Sequence, residues 1–277
     1  MPKIDLDEIE SYIRCPEQER RRKLDPYKGL TALEYRYRKN LRKIFVRFYS
    51  ELLDGNRLTL AQLRRSWSTM WNDIPMDDGI KPRSFSKGTS SDLNALMTDP
   101  ERLLVRGAGV LHKFSERLMH DGIQPVIVDE PFSIELDGIT IEGKFDVVFE
   151  DRDHRYWIID WSNKELRYDH QYDRRLAILL AAFSTTTGKV AAGVIVDYIM
   201  TFGDFYDFSV RTVDALKDQV LDVTQVAKAI TQNIVYKDVG PNCKSCPYKN
   251  SCVGIRIVQQ KRPVGRPRRR ANVPGPQ

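Results

Sequence analysis

The sequence predicts a mixed α/β fold: a helical N-terminal portion, then a meander of strands, then helices alternating with strands. Three observations predict it. Apolar residues recur at helical spacing through most of the first 119 positions. From about residue 126 the period drops to two, as on a half-buried strand. Asp137-Gly138 and Asp151-Arg152-Asp153-His154-Arg155 then punctuate the strands as hairpins.

Residues 7–24 read as one helix beginning near Asp7 and passing through Cys15. Leu33, Tyr37, Leu41, Ile44, Phe45 and Phe48 mark a second helix by their spacing. Residues 58–72 form a third, with Thr59 as its N-cap. Residues 73–90, rich in Asp, Pro, Gly and Ser, read as a loop. A long helix covers roughly 91–119 and stops at Asp121-Gly122. Strands are expected at 126–128, 132–136, 139–149 and 156–160, a helix at about 169–186, strands at 189–199 and 205–210, and a helix at about 212–234. This divides the chain into a helical region (1–105), an α/β core (106–235), a cysteine segment (236–256) and a basic tail (257–277).

Composition sets the class. Of 277 residues, 41% are apolar and 30% charged, as in globular proteins, and no run of about 18 apolar residues can cross a membrane. The N-terminus is acidic and polar, unlike a secretory signal, so a cytoplasmic protein is expected. The net charge of +6 is unevenly placed. Residues 253–277 hold seven Lys or Arg and no acid, and without them the chain carries 37 basic and 38 acidic residues. Basicity is therefore a property of the tail, with a local concentration at 14–47, where twelve Lys or Arg face four acids among interleaved aromatics. That stretch reads as a solvated helix face, or as a grip on a nucleic-acid strand through cations and stacking.

The four cysteines are Cys15, Cys243, Cys246 and Cys252. Three share a C-x2-C-x5-C run, and the fourth lies 228 residues upstream in Arg14-Cys15-Pro16. In a reducing compartment this pattern points to metal rather than to disulfides. Four thiolates suit zinc or an iron–sulfur cluster. Zinc usually takes two C-x2-C knuckles, so one close pair with a distant fourth ligand fits a [4Fe–4S] cubane better. Such a site would join the two ends of the chain.

Asp146 lies inside an apolar strand and Asp160 closes the next, in Trp157-Ile158-Ile159-Asp160. A buried carboxylate needs a cation or a partner. On adjacent hairpin strands the two can converge on Mg²⁺ or Mn²⁺. Pairing with arginines or helix termini is the structural alternative. His112 alone reads as a surface or core histidine.

Together these residues resemble the RecB-like branch of the PD-(D/E)XK nucleases that carry an iron–sulfur cluster. That branch includes CRISPR-associated exonucleases, the AddB nuclease domain and phage-encoded relatives. Arg14-Cys15-Pro16 is similar to the first cluster ligand, and Cys243, Cys246 and Cys252 to the C-terminal trio. Gly109-Val110-Leu111-His112 resembles the G-x-x-H metal histidine, Gly143-Lys144-Phe145-Asp146 the G-x-x-D motif, and Ile158-Ile159-Asp160-Trp161 the opening of D-x-K. The resemblance implies a restriction-endonuclease-like sheet flanked by helices. It also implies a DNA exonuclease that hydrolyses phosphodiesters with Mg²⁺ or Mn²⁺ on His112, Asp146 and Asp160. DNA ends or single strands are the implied substrate, in a bacterial or phage-infected cell, with a helicase or recombinase as partner.

The chain departs from the pattern where the D-x-K lysine belongs: Ser162 stands there, and serine supplies no cation. Lys164, Lys144 and Arg175 are candidate replacements; alternation along the strands places Lys164 on the face of Asp160 and Lys144 on that of Asp146. Otherwise hydrolysis is weakened and the chain serves as a DNA-binding or recruitment subunit. The family's Q-x-x-x-Y helix is blurred: Arg175 occupies the expected register, with Gln171 four residues earlier. In the tail, Arg266, Arg268, Arg269 and Arg270 sit in a partial AT-hook, with Val264 in place of its first arginine. It suits an A·T minor groove, or is simply a solvated or import-like basic tract.

Overall fold

The computed structural model describes residues 2–24, 32–72, 100–120, 124–161, 173–197, 208–216 and 219–236, together with Cys243, Cys246, Tyr248 and Cys252. The chain divides into two compact units, Met1–Asp238 and Val239–Gln277. In the first unit the order is β1 (Lys3–Asp5), α1 (Leu6–Arg14), α2 (Pro16–Leu24), α3 (Ala32–Leu53), α4 (Leu60–Asn72), α5 (Pro100–His120), β2 (Gln124–Leu136), β3 (Ile139–Glu150) and β4 (Tyr156–Trp161). It continues with α6 (Asp173–Thr187), β5 (Ala191–Asp197), β6 (Phe208–Thr212), α7 (Val213–Leu216) and α8 (Gln219–Thr231). No described helix is long and apolar enough to cross a membrane.

The six described strands form one mixed sheet, β1-β3-β4-β5-β6, with β2 also paired to β3. β1–β3 and β4–β5 are parallel, and the other pairs are antiparallel. Helices cover both faces. Ile9 of α1, Leu176 and Phe183 of α6 and Val223 of α8 share one core with Phe145, Val148 and Ile158 of the sheet. Leu41, Phe45 and Tyr49 of α3, Trp67 of α4 and Phe114 of α5 share the other with Val147, Ile159 and Trp161. Alternation along the strands makes this division: neighbouring β4 residues Ile158 and Ile159 enter opposite cores.

Several boundaries differ from the periodicity reading. The helix expected over 7–24 is two helices, broken at Cys15, whose backbone is extended (φ −172°, ψ 113°). Pro16 is the cause, because its ring disfavours helical geometry in the preceding residue and suits the first turn of the next helix. The short parallel strand β1 has too few residues to carry a periodic signal. Residues 126–128 and 132–136 belong to one long strand, β2, bent by a register shift between Pro125 and Ile127 and by Asp129 at φ 53°. Of the helix expected over 212–234, α7 (Val213–Leu216) and α8 (Gln219–Thr231) are described, and 217–218 lie outside the described residues. The loop expected at 73–90, the start of the 91–119 helix and the Asp121-Gly122 stop lie outside the described residues.

Local chemistry holds the other ends. Thr59 caps α4 through a reciprocal box: its N–H donates to Gln62 Oε1 (2.8 Å), and its Oγ1 accepts from the Gln62 N–H (3.3 Å). Asp137 (φ 51°) and Gly138 (φ 75°) form the tight turn between β2 and β3. α2 buries little apolar surface. Its acids are buried instead, Glu17 paired with Arg20 and Arg21 and Glu19 with Arg22.

Two glycines of α5 behave oppositely. A Cβ at Gly107 would lie 2.1 Å from the buried Trp67 ring, whereas one at Gly109 would meet nothing within 4 Å. Gly107→Ala is therefore expected to lower stability by about 1–3 kcal/mol through overpacking. Gly109→Ala should raise it by up to about 1 kcal/mol through helix propensity. Thermal unfolding of both variants reads the difference, and a destabilised Gly109→Ala would give that glycine a role beyond the helix.

Candidate active site

The site grows from an interruption in pairing. β2 lines one edge of β3 along most of its length. On the other edge β1 pairs with Thr140–Glu142 and β4 with Val147–Glu150, so among the described residues Gly143-Lys144-Phe145-Asp146 has no strand beside it there. β1 is parallel to β3 and β4 antiparallel, so their C-terminal ends run toward this gap from opposite directions. Gly143 is required on steric grounds, since a Cβ would lie 2.5 Å from the Phe132 ring packed across from it.

Asp146 and Asp160 meet at the edge of the gap. Continuing the β3–β4 register sets them opposite each other, and both are buried, 2% and 1% exposed. Where the ladder stops, the Asp146 carboxylate itself accepts the Trp161 N–H at 2.7 Å. Each aspartate also holds a guanidinium. Arg175 of α6 donates to Asp160 from Nε (3.2 and 3.3 Å) and Nη2 (3.2 Å), and its Nη1 reaches Asp7 at 2.6 Å. Arg42 of α3 pairs with Asp146, its guanidinium 5.6 Å from the centre of the Trp161 ring. The two arginines approach from the two helical layers.

Arg42 and Arg175, which hold the pair, also line a cleft of about 740 Å³. Its cations are Arg14, Arg22, Arg38, Arg42, Lys144 and Arg175, and its acids are Asp5, Asp7, Glu10 and Glu142. The lining thus carries more cations than acids, which suits a polyanion.

The remaining candidates lie at the rim of this cleft or away from it. Lys144 lines the cleft, but its ammonium pairs with Asp129 at the irregular turn of β2. His112 is exposed on α5, between the buried Leu111 and Phe114. Among the described residues no three His, Cys, Asp or Glu side chains gather closely enough to hold one ion, so His112 does not complete a set with the two aspartates. Cys15, Cys243, Cys246 and Cys252 are half-buried and in no disulfide, and the Cys246 N–H donates to the Cys243 carbonyl at 3.4 Å. Ser162, Lys164, Gln171, Arg266, Arg268, Arg269 and Arg270 lie outside the described residues. The sequence reading missed the specific role of Arg42. Its signal was present: Arg38 and Arg42, four apart, flank the apolar stripe of α3.

A model of the PD-(D/E)XK nuclease superfamily matches residues 41–253. The chain belongs to the PD-(D/E)XK nuclease superfamily. The superfamily implies DNA as substrate and divalent metal as cofactor, and two buried, opposed carboxylates are a donor set that fits such an ion. Solved structures that this chain resembles include the crystal structure of SSO0001, 15% identical over 91% of this chain and 85% of that one, with a TM-score of 0.43. Another is a "Putative exonuclease" from Eubacterium rectale, 12% identical over 78% of this chain and 92% of that one, with a TM-score of 0.33. Among curated proteins none matches.

Burial, joined by the charge of Asp160, pushes the Asp146 carboxyl up to about 7, against the opposing pull of Arg42 and the Trp161 N–H. Its ordinary value is 3.8, so in metal-free protein folding takes up a proton between those limits. This contribution favours the folded state fully below pH about 4 and is lost as pH rises through about 7. Asp146→Asn should remove that dependence. Calorimetric melting with chelator from pH about 4 to about 8 is expected to show a flatter profile than wild type, and an unchanged slope would contradict the assignment.

Proposed function

We propose that the protein is a metal-dependent DNA nuclease acting on ends or single strands, with Asp146 and Asp160 as ligands of Mg²⁺ or Mn²⁺. The observation that carries this reading is the gap between β1 and β4, where two buried carboxylates face each other and each holds an arginine that lines a cleft with six cations. A bound divalent ion supplies a Lewis acid and acidifies water near the phosphate. The chain's own residues do the rest. The Trp161 N–H fixes the carboxylate of Asp146, and Arg175 fixes that of Asp160. Arg14, Arg38 and Lys144 attract the backbone phosphates into the cleft. In the reaction water bonds to phosphorus as the ester P–O bond breaks, and the leaving oxygen gains a proton that the water has given up.

The narrower reading is an exonuclease of the RecB-like branch with a [4Fe–4S] cluster on Cys15, Cys243, Cys246 and Cys252. The four-cysteine frame supports it, as do three local features. Cys15 sits at an extended break between helices. The Glu17 N–H donates to the Tyr236 carbonyl (3.2 Å) and the Tyr12 hydroxyl to that of Ile234 (2.6 Å), so the chain returns to the Cys15 region shortly before Cys243. Cys243 and Cys246 share a tight turn.

A second reading, a weakened nuclease that binds DNA without cutting it, is favoured by Ser162 in the lysine position. One experiment separates them. Anaerobically purified protein, scored for iron, is assayed on labelled single- and double-stranded DNA with Mg²⁺ and with Mn²⁺. The nuclease reading expects cleavage that falls at least about 100-fold in Asp160→Ala. Tight, salt-sensitive binding with no cleavage in either protein would establish the second reading. Cys243→Ser should lose the brown colour and most of the iron; retention of both would remove the cluster assignment.

A further inference from the structure

We propose that Arg42 supplies the cation that this chain lacks at Ser162, leaving Asp146 for the scissile phosphate when a divalent ion takes the carboxylates. The inference rests on the nuclease reading above and names a residue that its motifs do not include.

The geometry singles out Arg42 by its partner, the candidate ligand Asp146. Arg175 is held by Asp160, Asp7 and Glu10 and is 14% exposed in its side chain, so it is fixed in place as a positioning residue. Lys144 is turned toward Asp129. Arg14 and Arg22 are drawn to Glu10 and Glu19. Arg42 differs in what holds it: its carboxylate partner among the described residues is Asp146, the proposed ligand itself, so an ion on that carboxylate competes with it directly. Its guanidinium lies over the ring of Trp161, the residue immediately before Ser162. A positive charge from α3 thus stands beside the end of β4, close to where a D-x-K lysine would bring one along the strand.

Arg42 and a divalent ion compete for one carboxylate, so binding of the ion releases the guanidinium. Its fork of donors matches phosphate oxygens. Arg42 is therefore a counterion for Asp146 in the ion-free protein and a phosphate ligand in the loaded one. Opposite effects on ion binding and on cleavage are the signature of these two roles, and a purely structural arginine would not produce them.

The test uses full-length Arg42→Gln, Arg42→Lys and Arg42→Ala, with Asp160→Ala as the control. Direct Mn²⁺ binding is read by electron paramagnetic resonance, and single-turnover cleavage is measured with saturating Mn²⁺. Arg42→Gln is expected to bind Mn²⁺ several-fold more tightly than wild type and to cleave about 100-fold more slowly. Arg42→Lys should recover part of the rate, and added guanidinium ion at low millimolar concentration should restore cleavage to Arg42→Ala but not to Asp160→Ala. Weaker Mn²⁺ binding in Arg42→Gln, or cleavage at the wild-type rate, overturns the proposal. If Arg42→Gln does not fold, the Lys variant and guanidinium rescue decide it. Wild-type protein that cleaves no DNA sinks the nuclease reading and the phosphate role together, whereas cleavage by wild type that is indifferent to Arg42 sinks only this inference.

Discussion

Two carboxylates buried face to face set the terms for everything around them. Asp146 and Asp160 have almost no contact with water, and burial together with the charge of Asp160 pushes the Asp146 carboxyl up. Such a pair persists only where positive charge is delivered to it. In the ion-free protein Arg42 and Arg175 deliver it, one from each helical layer. The arginines are thus the electrostatic counterpart of the ion that the superfamily employs, and the sheet edge is held ready by them. Replacing one partner of such a buried pair leaves an uncompensated charge, which is why the region acts as a unit.

The backbone provides for the same need. A fully paired β3 would place strand against both edges and leave no room for phosphate. Among the described residues, ending β1 at Asp5 and β4 at Trp161 leaves four residues of β3 open, and the Asp146 side chain takes the N–H that the ladder would have used. The irregular Asp129 on the other edge anchors Lys144, so the cation next to the gap is held at the rim rather than above the carboxylates. The cleft is therefore a consequence of where the strands stop.

Much of this was legible in the sequence. The period change near residue 126, the Asp137-Gly138 turn and the Thr59 cap each report a local preference that the folded chain keeps. The convergence of Asp146 and Asp160 came from their places on neighbouring hairpin strands. The rest depends on contacts between distant segments. β1 is three residues long and owes its pairing to β3, some 137 positions away, so no window of sequence announces it. Arg42 reads as one of twelve cations in a basic stretch until α3 is packed against Trp161. The arginine alternative for the aspartates and the convergent one, which looked exclusive in sequence, are both realised in the ion-free chain.

The break at Cys15 has a mechanical consequence. α1 is nine residues long, a rod of about 13 Å, with Asp7 at one end against Arg175 and Cys15 at the other. Ile9 is completely buried, and the far end is pinned where Tyr12 reaches Ile234. α1 thereby links the stretch beside Cys15 to Arg175 through Asp7 and Glu10, and Arg175 in turn holds Asp160, so one short helix stands in contact with both the cysteine and the charge that neutralises the carboxylates.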